Sequence, residues 1–191
     1  MPAPRVKFER IYIVSPIKVA IAFLTILHSL FLCITILTSF WIATPFGNYG
    51  PIFSCDKRAN QQSIQCYTSG FLYDVVLFRI LPLNGLLLII SLILSVLSIL
   101  TANLSFMRYN SFVRHRYWLC TTLFLLFICL IDCFVLVFVP VSYRHQTYYL
   151  QWSYGLHCGA TLFISVCLIA AILLPHDDDV QYLETIDDSA N

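Results

Sequence analysis

Four runs along the chain are apolar at nearly every position, and polar residues collect between them. The runs cover residues 17–40, 80–102, 118–140 and 153–175, with little or no internal charge. Each reaches the roughly 20 residues that a helix needs to cross a bilayer. A segment in lipid must satisfy its own main-chain hydrogen bonds, so each run is expected to be helical. The first is too long for the apolar part of a cleaved leader, and no small-x-small site follows closely. It reads as a signal anchor that stays. Ser15-Pro16 marks a helix start, with serine as cap and proline in the first turn.

Between the runs, residues 41–79 form the longest polar connection. Phe40-Trp41-Ile42, Ile52-Phe53 and the alternating Ser63-Ile64-Gln65-Cys66-Tyr67 favour strands. Pro45, Gly47, Asn48, Gly50 and the polar stretch 56–62 favour turns. The expectation is an all-α membrane protein, a bundle of four transmembrane helices carrying a small extracellular antiparallel sheet built by the first outer loop. Residues 103–117 read as a short basic inner loop and 141–152 as an aromatic second outer loop. Its Tyr143, Tyr148, Tyr149 and Trp152 fit an interfacial belt or a contact surface for another protein. Residues 1–16 read as a basic leader held near anionic lipid, and residues 176–191 as a disordered acidic tail.

Composition agrees. Of 191 residues, 59% are hydrophobic and 11% charged, more apolar surface than a soluble domain of this size can hide. A net charge of +1 leaves no basic surface for nucleic acid. The placement of lysine and arginine sets the orientation. With the N-terminus inside, Arg5, Lys7, Arg10, Lys18, Arg108, Arg114 and Arg116 face the cytoplasm, against Lys57, Arg58, Arg79 and Arg144 outside. An even number of spans then puts the C-terminus in the cytoplasm too.

Of eight cysteines, only Cys55 and Cys66 fall in the outer, oxidising compartment, where they flank a turn between two expected strands and are expected to be bonded. On the chain-entropy view that bond removes roughly 2–3 kcal/mol of loop freedom. Cys33, Cys120, Cys129, Cys133, Cys158 and Cys167 lie in the helices as small packing side chains. Cys120, close to the inner membrane edge, is the candidate for reversible palmitoylation. No cysteine or histidine spacing points to a metal, and no cofactor is expected.

Ionisable groups within a membrane call for a partner. His28 sits near the middle of the first span, Asp132 in the third and His157 in the outer part of the fourth. At 1.5 Å per residue, Asp132 and His157 come within about 5 Å in depth. An interhelical hydrogen bond that fixes register accounts for them more simply than a proton or ion relay, which needs a series of carboxylates. Gly155 and Gly159, followed by Ala160, form a GxxxG pattern for close helix approach, within the chain or in a homo-oligomer. Asn103-Leu104-Ser105 is a sequon facing the cytoplasm, and Ser189-Ala190-Asn191 lacks the apolar last residue of common PDZ ligands.

Four spans, a long first outer loop with Trp41, and then Cys55 and Cys66 together resemble the claudin/PMP22 superfamily over nearly the whole chain. Ser15-Pro16-Ile17-Lys18, Trp152-Ser153-Tyr154-Gly155-Leu156 and Gly159-Ala160-Thr161-Leu162-Phe163 resemble the branch containing transmembrane protein 47. Where claudins carry Gly-Leu-Trp before the first cysteine, this chain has Gly50, Pro51 and Ile52, and the charges of its first loop nearly cancel. Both departures speak against a charge-selective pore. The resemblance implies a plasma-membrane protein of epithelial cell–cell junctions. Its implied partners are junctional or cytoskeletal membrane proteins of the cadherin–catenin kind. Other branches of the superfamily serve instead as auxiliary subunits of an ion channel or receptor. An enzyme is not expected, since the sequence offers no nucleophile–base pair.

Overall fold

The computed structural model describes residues 6–12, 15–45, 47–57, 64–68, 80–107, 111–143, 148–173 and 180–186. In chain order the elements are β1 (Val6–Tyr12), α1 (Pro16–Leu37), β2 (Ile42–Thr44), β3 (Gly47–Tyr49), β4 (Phe53–Lys57) and β5 (Ile64–Thr68), then α2 (Ile80–Met107), α3 (Ser111–Tyr143), β6 (Tyr149–Leu150), α4 (Trp152–Leu173) and β7 (Val180–Ile186). All four helices are long and apolar enough to cross a membrane. Phe23, Leu30, Val137, Leu162, Val166 and Ile172 are each more than half exposed, an outer surface suited to lipid and not to water.

The inward faces follow one spacing. Buried positions in α2 are Asn84, Leu88, Ser91, Ser95, Ser98, Ala102 and Ser105; in α3 they are Trp118, Thr121, Leu125, Ile128, Asp132, Val135 and Val139. On α1 the series Lys18, Ile21, Thr25, His28, Leu32, Thr35 is buried, and on α4 the series Ser153, His157, Ala160, Ile164, Cys167, Ala171. Steps of three and four alternate throughout. That period is shorter than the helical repeat, so the seams stay in contact only if the helices wind left-handedly about one another. The helices pack as a four-sided bundle, α1 against α2 and α4, and α3 against α2 and α4. Two apolar clusters fill it: one including Leu32, Ile36, Trp41, Leu88, Val135 and Val139 toward the end expected to face outside (hence the outer end), and one including Ile21, Leu125, Ile128, Ile164 and Cys167 toward the other, inner end.

Helix ends differ from the spans read in the sequence. α2 runs on to Met107 and α3 already begins at Ser111, so most of the expected inner loop 103–117 is helix. Hydropathy registers the membrane edge, whereas the helix continues beyond it. Ser15 stands at the N-cap of α1, yet its side chain makes no capping bond; its carbonyl accepts from the Lys18 and Val19 amides instead.

The sheet on the outer end is antiparallel, in the order β5-β4-β3-β2-β6. Two of its strands were not expected. Gly47–Tyr49, expected as a turn, pairs with both β2 and β4. β6 comes from the second outer loop and pairs with β2 through Ile42 opposite Leu150, so the sheet belongs to both loops and not to the first alone. The tail differs as well. Residues 180–186, expected to be disordered, pair antiparallel with the leader strand β1, with Phe8 opposite Glu184. The strand before α1 and the strand after α4 therefore lie together on one side of the bundle.

Candidate functional site

The outer sheet is seated on the bundle through Trp41. The last carbonyls of any helix lack an amide partner. In α1, the Thr35 carbonyl accepts the Trp41 indole N–H at 2.7 Å and the Thr38 hydroxyl at 3.3 Å. The Trp41 ring is wholly buried, its main chain bonds to Tyr49 and Gln151, and its edge meets Tyr154. Gly50 completes the seat. A Cβ there would fall on the Thr38 carbonyl oxygen and 2.7 Å from Ser39 Cα, so only glycine lets the sheet come this close. Gly85 does the same for α2, where a Cβ would stand 2.9 Å from the Pro51 carbonyl oxygen. Cys55 and Cys66 face each other across β4 and β5 and are bonded, as expected.

A second anchor arises from Pro140 in α3. Proline has no N–H, so the Leu136 carbonyl four residues earlier loses its helical partner. The Tyr154 hydroxyl of α4 donates to that carbonyl at 2.6 Å. Tyr148 donates in turn to the Pro140 carbonyl at 3.1 Å. Tyr149 and Trp152 remain exposed, the latter beside Phe40 at 5.9 Å between ring centres.

Deeper in the bundle, between the two apolar clusters, lies a polar layer. Asp132 takes a hydrogen bond at each carboxylate oxygen, from His28 Nε2 at 2.8 Å and from the Ser91 hydroxyl at 2.7 Å. The other ring nitrogen of His28, Nδ1, meets the Ser95 hydroxyl at 3.2 Å. All four side chains are wholly buried. The expected neighbour of Asp132 was His157; the bond is made to His28, because α1 and α3 bring these two seams to one depth across the bundle. His157 is buried beside them, its ring tilted against Trp41 at 5.4 Å between centres. The polar layer thus stands directly beneath the seat of the outer sheet.

Ser95, His28 and Asp132 make a nucleophile–base–carboxylate series that the sequence alone did not show, because three separate helices supply it. Its connectivity is that of a hydrolase triad, but its setting is not. Ser95 has no exposed surface, and mid-helix amide groups are spent on their own helical bonds, which leaves none for an oxyanion. The Asp132 carboxylate is bonded to a partner on each of two other helices, and so links α1, α2 and α3 through one group.

The remaining candidates sort clearly. A Cβ on Gly155 or Gly159 would meet nothing within 4 Å. The glycines therefore do not draw α4 against a helix of the same chain, which corrects the intrachain half of that expectation; Ala160 is the buried member of the trio. Cys120 and Cys133 are exposed on the helix surface and Cys167 is buried. Among the described residues no group of histidine, cysteine, aspartate or glutamate is placed to hold a metal. Arg58, Arg79, Arg108, Arg144 and the tail beyond residue 186 lie outside the described residues.

These features define a multi-pass membrane protein: a four-helix bundle with a disulfide-bonded sheet on one end. No protein-family model matches the chain, and no curated protein matches it either.

Proposed function

We propose that the chain is a non-enzymatic, claudin-like protein of the plasma membrane that organises or regulates epithelial cell–cell junctions of the adherens type. The observation that carries this is the outer sheet. Both outer loops build it, a disulfide ties it, and Trp41 and Gly50 seat it without slack on the helices. A surface held this rigidly is suited to recognition, since little conformational freedom is lost on contact. The likeness of Trp152-Ser153-Tyr154-Gly155-Leu156 and Gly159-Ala160-Thr161 to the transmembrane protein 47 branch supports the junctional assignment. Partners of the cadherin–catenin kind follow from it, with the lysine and arginine bias placing both termini in the cytoplasm. The closed, unexposed setting of Ser95 supports a non-enzymatic role.

One observation favours a second reading, an auxiliary subunit of an ion channel or receptor. The glycine face of α4 is open, as a face that receives a partner's helix would be. Imaging of a tagged copy in polarised epithelium separates the two. Enrichment at lateral junctions with cadherin supports the first. Diffuse membrane staining that follows a co-expressed channel overturns it.

A further inference from the structure

Among the described residues of the buried polar layer, His157 stands apart: its ring packs on Trp41 but its nitrogens make no hydrogen bond. Neither ring nitrogen meets a hydrogen-bonding group among the described residues, although the side chain is wholly buried. A neutral imidazole carries one donor and one acceptor, and leaving both unpaired in a low-dielectric interior is costly. Trp41 lies tilted against the ring, and the two nitrogens bond in the ring plane, away from that contact. Asp132 and His28 lie within electrostatic reach of that ring; the Asp132 main-chain carbonyl is near but makes no bond of ordinary geometry.

The neighbouring carboxylate has spare capacity. Two oxygens offer about four lone-pair sites, and His28 and Ser91 take one on each oxygen. A donor group between His157 and Asp132 would therefore find acceptors on both sides. A metal fits this setting poorly, since no three ligating side chains converge. We infer that His157 binds an ordered water molecule that joins it to the free lone pairs of Asp132, so that all four helices close the polar layer. A buried water needs at least two polar partners, and the His157 ring nitrogens and the Asp132 carboxylate supply them. Leu32, Leu88 and Val135 on the outer side and Leu125, Ile128 and Ile164 on the inner side seal it. The water is thus occluded, and it connects α4 to a network that otherwise links only α1, α2 and α3. His157 itself lies against the Trp41 ring that seats the sheet, which brings the sheet's anchor into contact with the middle of the bundle. This inference does not depend on the proposed junctional role.

Radiolytic hydroxyl labelling of the full chain in nanodiscs tests it, because radicals form from water held at the labelled side chain. With a brief pulse after mixing into heavy-oxygen water, oxidation at His157 or Trp41 carrying ordinary oxygen is the expected result. It marks an occluded water that has not exchanged. No oxidation at either residue overturns the inference, and label carrying the heavy isotope overturns the occlusion. Melting of variants supplies a second test. If the water bridges, His157→Leu lowers the melting temperature by several degrees, and Asp132→Asn then costs less on that background than on the original chain. If the pocket is dry, removing an unpaired imidazole leaves the melting temperature unchanged or raises it, and the two changes add. Should His157→Leu fail to fold, labelling of the unaltered protein decides alone.

Discussion

At the scale of single residues, the structure replaces missing main-chain donors with side chains from elsewhere. Tyr154 supplies the hydrogen that Pro140 cannot give to Leu136, and Trp41 does likewise at the end of α1. Tyr154→Phe keeps the ring and removes the hydroxyl, leaving a part-buried carbonyl unpaired; the expected cost is about 1–3 kcal/mol. Pro140→Ala restores the missing amide, so the same Tyr154→Phe change in that background should cost far less. Thermal melting of the four proteins in nanodiscs measures the difference, and equal costs in both backgrounds would show that the tyrosine acts through its ring. Such pairings explain where sequence reading stopped at this scale. Cys55 and Cys66 were legible because compartment alone singles them out. Asp132 was legible as a residue in need of a partner, but depth along a helix does not say which helix faces it. That depends on how four seams meet, and it gave His28 where depth alone had pointed to His157.

At the scale of elements, the helices could be found in the sequence because lipid permits few alternatives to a long apolar helix. Short strands are another matter. β3 contains Gly47 and Asn48, which favour turns, and β6 has only two residues. Both exist because neighbouring strands offer main-chain partners, not because their own residues favour extension. Their close seat rests on Gly50. Gly50→Ala drives a methyl into main-chain atoms that cannot swing aside, and overpacking of this kind costs about 1–3 kcal/mol. The variant should be retained in the endoplasmic reticulum, while Gly155→Ala, which meets open space, should reach the surface normally. Surface biotinylation distinguishes them; equal delivery of both would mean that the sheet stands off the helices. The open face also makes a definite statement about α4. Gly159→Leu should fold and melt as the unaltered chain does. A loss of self-association or of a co-precipitating partner, with melting unchanged, would identify the face as an interface.

For the molecule as a whole, helices and sheet share one design, in which polar groups placed inside the bundle act on its ends. Both side chains of the His28–Asp132 pair are closed off from bulk solvent, so removing one partner strands the other. His28→Leu alone should cost about 3–5 kcal/mol, while His28→Leu with Asp132→Leu should recover part of it, as replacing a whole buried pair does elsewhere. Melting in nanodiscs checks this, and a double change worse than the single one would mean that the pair does more than hold register. The opposite side of the molecule offers the sharpest test of its layout. β1 and β7 place Phe8 against Glu184, which joins the two termini on the side away from the outer sheet. Directly opposed residues in an antiparallel pair have Cα atoms about 4.5–5.5 Å apart, and a slip of one residue turns every side chain to the other face. A chain with its own cysteines replaced, except Cys55 and Cys66, and carrying Phe8→Cys with Glu184→Cys should form a cross-link with a short bismaleimide. Phe8→Cys with Leu183→Cys, one step out of register, should react poorly. If both termini are in the cytoplasm, as proposed, a charged, membrane-impermeant reagent should link the first pair only after the cells are opened. Linking in intact cells would reverse the topology, and equal linking of both pairs would dissolve the strand register while leaving the four helices as they are.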